Sequence, residues 1–360
     1  MFDRTRNFYA GPSTLPREVL EEISESFVDY QGAGMSIVEM SHRSTRYDEV
    51  HSQVLRSIRE LLDIPENYEV LLLGGGATLQ FAMIPMNLIP AGGYCDFVLS
   101  GSWAKKAADD AKLIGRVNTL FDGADTGYTT LPDSIESTDG AEYLHITSNE
   151  TINGVQWHEF NSEVDAPLVA DMSSDIMSRR IPVDRFGLIY AGSQKNLGPA
   201  GVTLVIIRRD ILDRCKRDLP AYLSYRTHAE KSSLYNTPPV FSIYAVNLVL
   251  GWIKKNGGLP AMEQSSREKA AYVYDAISGS EGFYTNAVDP SFRSNMNVVF
   301  GLADQELEGS FLSESESRSI VGLKGHRSVG GCRASLYNSL PKEWAKELAD
   351  FMKEFALKNG

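Results

Sequence analysis

The chain has 360 residues, 42% hydrophobic and 23% charged, enough apolar material for a large core split between two lobes. A formal net charge of −12 with no basic stripe argues against a nucleic-acid partner. Three cysteines, Cys95, Cys215 and Cys332, are far apart and odd in number, which suits a reducing, cytoplasmic compartment. The opening MFDRTRNFYAGPSTLP lacks the apolar core of a signal peptide, and no apolar run approaches the ~20 residues of a membrane helix.

From residue 68 onward, short apolar runs alternate with longer polar or amphipathic stretches. The runs are YEVLLL, YCDFVLSG, YLHITS, PLVAD, GLIYAG and GVTLVIIRR, and the pattern predicts an α/β fold. Several are apolar throughout rather than alternating, as expected of strands covered by helices on both faces of a mostly parallel sheet. FSIYAVNLVLGWIKKNGG then predicts a buried helix closed by lysines and glycines. LPAMEQSSREKAAYVYDAISGS predicts a long helix leading into a second lobe. In that lobe NMNVVFGL and GCRASLYN read as strands. PKEWAKELADFMKEFALKNG reads as a closing helix, with Trp344, Leu348, Phe351, Met352 and Phe355 at helical spacing.

In open α/β sheets ligands collect at the carboxyl ends of the strands, so the residues after each run are the place to look for chemistry. After YEVLLL comes GGGATLQF, glycines turning into a helix whose free amides and dipole favour a phosphate. It matches neither GxxxxGK[ST] nor GxGxxG, and alone it reads equally as a tight turn. After FVLSG comes Trp103, able to stack on a flat ring or simply to pack in the core. Thr151 follows LHITSNE, and Asp171 follows PLVA, where a carboxylate usually caps a helix. Lys195 lies in YAGSQKNLGPAG, and a solvated loop lysine is the ordinary reading of such a residue. The combination says more than its members. Pyridoxal 5′-phosphate needs a lysine amine to form a Schiff base, an acid beside its ring nitrogen, an anion cradle and an aromatic plate. Lys195, Asp171, the glycine turn and Trp103 supply one candidate for each.

At this point the sequence resembles the phosphoserine aminotransferases, a class V branch of the fold-type I pyridoxal-phosphate enzymes. The likeness rests on NFYAGPSTLP, MSHRS, GGGATLQF, SNETINGV, ADMSSDIMSRRIPV, YAGSQKNLGPAG, YNTPPVFSIY and GHRSVGGCRASLYN, spread nearly end to end. It implies an N-terminal arm over 1–15 packing with the small domain. It also implies a large cofactor domain over 16–257 with a mostly parallel, seven-stranded-type sheet, and a smaller α+β domain over 258–360. Catalysis would fall to Lys195 and Asp171, with cofactor contacts from Gly76, Ala77, Trp103, Thr151 and Gln194, and from Asn236 and Thr237 of a second subunit. Arg333 resembles the α-carboxylate binder, and His42, Arg43, His326 and Arg327 resemble the residues that hold a distal phosphate or carboxylate. The implied reaction moves the amino group of L-glutamate to 3-phosphooxypyruvate in a homodimer with shared sites, and extends in some bacteria to pyridoxine biosynthesis. Some relatives carry an arginine in the glycine turn where this chain has Ala77, and Arg46 is the candidate to replace it. The alternatives are alanine–glyoxylate transamination, cysteine desulfuration, or a binding protein that keeps the fold without catalysis.

Overall fold

The computed structural model describes residues 4–160, 164–215 and 218–360. Its centre is a seven-stranded sheet made of β1 (Tyr68–Leu73), β2 (Tyr94–Leu99), β3 (Arg116–Asp122), β4 (Leu144–Thr147), β5 (Leu168–Asp171), β6 (Phe186–Gly192) and β7 (Thr203–Arg208). The spatial order is β1-β7-β6-β5-β4-β2-β3. β7 runs antiparallel to both its neighbours and every other pairing is parallel.

Two apolar clusters explain why these strands read as continuous hydrophobic runs. Along β1, Val70 and Leu72 point to one face, packed with Val54 and Ile58 of α2 (Thr45–Leu62) and Ile253 of α5 (Val240–Lys255). Leu71 and Leu73 point to the other face. There they join Phe81 and Ile84 of α3 (Gly76–Leu88) and Ala107 and Ala108 of α4 (Ser102–Lys112). With both faces covered, period-2 alternation of polarity disappears.

Three elements carry no announcement in the apolar runs. Helix α1 (Arg17–Val28) and α2 are amphipathic, and neither is apolar on average. Strand β3 lies at the edge of the sheet and mixes exposed with half-buried residues, so it lacks the apolar run by which its neighbours are recognised.

After α6 (Gly258–Ser278) come β8 (Tyr284–Thr285), β9 (Asn297–Leu302) and β10 (Cys332–Ser335), a three-stranded antiparallel sheet packed against α6, which in turn packs along α7 (Lys342–Asn359). Their core contains Phe300, Phe311, Leu348, Phe351, Met352 and Phe355, and Trp344 packs at its margin. Each fully buried phenylalanine there contributes roughly 2–3 kcal/mol. Phe8 belongs to the same cluster, and Arg6 and Asn7 pair in parallel with Ile320 and Val321. Among the described residues no helix is long and apolar enough to cross a membrane.

Candidate active site

β5 and β6 run in parallel with Asp171 opposite Tyr190, so Asp171 and Lys195 leave adjacent strands at the same end of the sheet. The turn carrying Lys195 closes on itself: Ser193 N–H donates to the Val202 carbonyl at 2.9 Å and Gly198 N–H to that of Ser193 at 2.8 Å. The N-terminal segment clamps it from outside. Ser13 donates its N–H to the Gln194 carbonyl at 3.0 Å and its hydroxyl to the Lys195 carbonyl at 2.5 Å. Gly11, at φ +135°, lies so close that a Cβ there would sit 3.3 Å from Lys195 Cγ.

Asp171 is 6% exposed, and its Oδ1 accepts the Ser173 N–H at 2.9 Å. Burial raises its pKa above the ordinary carboxylate value, while Ser173 and the charge of Lys195 draw it back. The Lys195 amine is pushed down by burial and held up in turn by Asp171 and Glu150. Behind Asp171, the Tyr190 hydroxyl and His145 Nε2 are 2.9 Å apart, and the His145 ring stacks on Phe97 at 4.6 Å. Burial lowers His145 to about 3, so this imidazole is neutral near pH 7.

The second wall comes from α4 and the turn after β4. Trp103 in the first turn of α4 donates its indole N–H to Thr151 Oγ1 at 2.9 Å, and Lys195 Nζ lies 5.9 Å from the centroid of its ring. Arg333 on β10 reaches across from the smaller sheet, and its Nη1 donates to the Thr151 carbonyl at 2.9 Å. Its Nε is buried without a partner among the described residues. His326 is shifted down by burial and by the charges of Arg333, Arg327 and Lys106.

Lys195, Asp171, Trp103, Thr151, Gln194 and Arg333 are therefore brought together, with His326 and Arg327 alongside. Gly76 and Ala77 open α3 just beyond β1, where no side chain caps the helix and Gly75 turns at φ +90°. Other expected residues lie apart within this chain. Arg43, Asn236 and Thr237 are exposed and His42 is half-buried, and none has a contact to Lys195, Asp171 or Arg333 among the described residues. Arg46 is exposed and its Nη1 reaches the Tyr30 carbonyl at 3.5 Å rather than the glycine turn.

Three participants were not legible in the sequence. Glu150 is 0% exposed and accepts from the first turn of α4. Lys106 Nζ stands 4.2 Å over the Trp103 ring. The His145–Tyr190 pair supports the strand end from inside the sheet. The i, i+3 helical spacing from Trp103 to Lys106 is the one local signal that could have found any of them; Glu150 and the His145–Tyr190 pair carry none.

The residues present fit pyridoxal 5′-phosphate by their own chemistry. A buried carboxylate without an ion pair among the described residues would hold a protonated ring nitrogen, and the uncapped start of α3 offers amides to a phosphate. A lysine amine stands 5.9 Å from the centroid of an aromatic plate, Trp103. This sheet with this set of groups at its strand ends defines a fold-type I enzyme, with pyridoxal 5′-phosphate as its cofactor.

The chain belongs to the class V aminotransferases: the Aminotransferase class-V family model matches residues 5–348. It is 50% identical over 361 residues to the phosphoserine aminotransferase of Lysinibacillus sphaericus (strain C3-41), covering 100% of both chains. Among solved structures it resembles the phosphoserine aminotransferase of Bacillus circulans subsp. alkalophilus, with a TM-score of 0.96, 50% identity and 99% of each chain covered. The pyridoxal-phosphate-bound phosphoserine aminotransferase of Trichomonas vaginalis gives a TM-score of 0.89 at 37% identity, covering 97% of this chain and 100% of that one.

Proposed function

We propose that the chain acts as a phosphoserine aminotransferase, moving the amino group of L-glutamate to 3-phosphooxypyruvate to give O-phospho-L-serine and 2-oxoglutarate. The observation that carries this reading is the joint placement of Lys195, Asp171 and Arg333 beside a loop bearing His326 and Arg327, in a chain half identical end to end to enzymes of that name.

When bound, the cofactor supplies an aldehyde carbon for amine exchange and a ring that draws electrons from the substrate Cα. Lys195 moves the proton at that carbon; desolvation already biases its amine toward the neutral form that a base requires. Asp171 would hold the proton on the ring nitrogen, and its burial would strengthen that charge pair. Trp103 would cover one ring face. Thr151 Oγ1 already accepts from the indole, which leaves its own proton for a ring substituent. The amides of Gly76 and Ala77 would hold the phosphate, joined by Asn236 and Thr237 of a second subunit, and Gln194, next to Lys195 in the chain, would contact the ring.

Arg333 takes the α-carboxylate common to donor and acceptor, because a guanidinium grips a carboxylate with two parallel bonds. Arg327 and His326, with His42 and Arg43, take the distal phosphate or side-chain carboxylate. The exposure of Arg43, Asn236 and Thr237 in the single chain, with half-buried His42 beside Arg43, supports a homodimer in which each site draws on both subunits. The joining of Phe8 to the C-terminal core supports the division into an arm over 1–15, a large domain over 16–257 and a small domain over 258–360; residues 1–3 of that arm lie outside those described. Cys95, Cys215 and Cys332 are free and buried, which suits the cytoplasm.

Cysteine desulfuration is disfavoured: Cys332 is 0% exposed within a strand and burial raises its thiol to about 12, far from a mobile thiolate. Incubating the purified, cofactor-loaded protein with L-glutamate and 3-phosphooxypyruvate should yield O-phospho-L-serine, identified by mass. Consumption of glutamate with pyruvate or glyoxylate, but not with the phosphorylated acid, would refute the assignment.

A further inference from the structure

Helix α4 begins at a residue that cannot cap it. Position 101 is glycine, and no side chain there or before it satisfies the helix's first amides. The acceptors come from elsewhere: Glu150 Oε2 receives the Trp103 N–H at 3.2 Å and Oε1 receives the Ala104 N–H at 2.9 Å. Gly101 makes room for this, since a Cβ there would lie 2.5 Å from the Glu150 carboxyl carbon. Its backbone is extended, at φ 172°, so the requirement is for space and not for an unusual conformation.

A buried carboxylate is a costly cap where a local serine or aspartate would serve. Glu150 is 0% exposed, and burial raises it to about 7 despite both amides, with Asp171 pushing further up and Lys195 pulling down. What the long-range cap achieves is a join. The next residue, Thr151, accepts the Trp103 indole N–H through its side chain and the Arg333 guanidinium through its carbonyl. Consecutive residues thus fix both the backbone and the ring of the aromatic plate, and the same turn anchors the carboxylate-binding arginine.

We propose that Glu150 is the positioning residue of this site, holding Trp103 and Thr151 in register over the cofactor ring by capping α4 from the turn after β4. The inference rests on the proposed function, because it takes Trp103 to cover the ring of bound pyridoxal 5′-phosphate.

The test uses the full-length protein loaded with pyridoxal 5′-phosphate, reading the visible circular dichroism of the bound cofactor, which reports the asymmetry of its surroundings, and the Kd for the cofactor. Glu150→Ala should at least halve the ellipticity and weaken cofactor binding about 5- to 10-fold, the scale of one lost ordinary hydrogen bond. Gly101→Ala, which leaves the carboxylate in the chain but displaces it, should reproduce the spectral change. Glu150→Gln keeps one acceptor and should fall between wild type and Glu150→Ala, and it also serves if the alanine variant does not fold. Lys105→Gly weakens the same helix at an exposed position and should lower Tm without altering ellipticity. If Glu150→Gln and Gly101→Ala lower Tm while ellipticity and Kd stay at wild-type values, Glu150 is only a helix cap and the inference is wrong. A wild type that binds no cofactor would instead overturn the proposed function, and this inference with it.

Discussion

Replacing Arg333 tests how the site grips a substrate. The residue enters from β10, opposite Val299 of β9. One N–H is committed to the Thr151 carbonyl at 2.9 Å, and Nε is buried without a partner among the described residues. Burial lowers its pKa, but a guanidinium stays charged at neutral pH. Part of the fork is therefore free for a carboxylate. Arg333 keeps some exposure, so the loss on Arg333→Ala belongs to the lower part of the range for desolvated pairs, about 2–3 kcal/mol, or about 30- to 150-fold in kcat/KM. Arg333→Lys keeps the charge but not the fork and should lose about 5- to 10-fold. Since L-glutamate and 3-phosphooxypyruvate both carry the α-carboxylate, the two half-reactions should fall together. The assay is kcat/KM for each substrate, varied in turn, in the wild type and both variants. A loss confined to one substrate, or an alanine variant within about threefold of wild type, would show that the α-carboxylate is held elsewhere.

Asp171→Asn should still bind the cofactor but lose most turnover, because a neutral amide cannot hold the ring nitrogen protonated; near-normal activity would mean another group does so. Mixing inactive Lys195→Ala with inactive Thr237→Ala should restore part of the activity through hybrid dimers, and no recovery after verified subunit exchange would count against shared sites. Lys269 on α6 is 0% exposed, donates to the Tyr337 and Leu340 carbonyls at 2.6 and 3.3 Å, and is lowered by burial to about 7. With its folded pKa below the ordinary value, the unfolded chain binds the proton more readily, so this group costs stability as pH falls from about 10 to about 7. The stability advantage of the wild type over Lys269→Met should consequently be larger near pH 9 than near pH 7, measured by thermal melts; an advantage that shrinks as pH rises would contradict the assignment.

How far the sequence discloses the fold depends on whether local pattern or tertiary setting controls each element. The six strands β1, β2 and β4 to β7 are covered on both faces and show as apolar runs, and α5 is apolar nearly all round. Edge strand β3 mixes exposed and half-buried positions and leaves no such mark. In the site, Lys195 and Asp171 were legible because strand ends next to each other in a parallel sheet must share a crevice. Glu150 was not, since a glutamate between asparagine and threonine reads as a polar turn; only packing against Gly101 and the start of α4 buries it. Lys269 is hidden for the same reason, a charge in a polar helix that the C-terminal segment closes over.

The central claim is that the pocket holds two separated anions, and substrate selectivity tests it most directly. With L-glutamate as donor, kcat/KM for 3-phosphooxypyruvate should exceed that for pyruvate or glyoxylate by about 100-fold or more, and Arg327→Ala should narrow the gap by lowering only the phosphorylated acid. Equal kcat/KM for the phosphorylated and unphosphorylated acids in the wild type would contradict the claim and favour alanine–glyoxylate-type transamination.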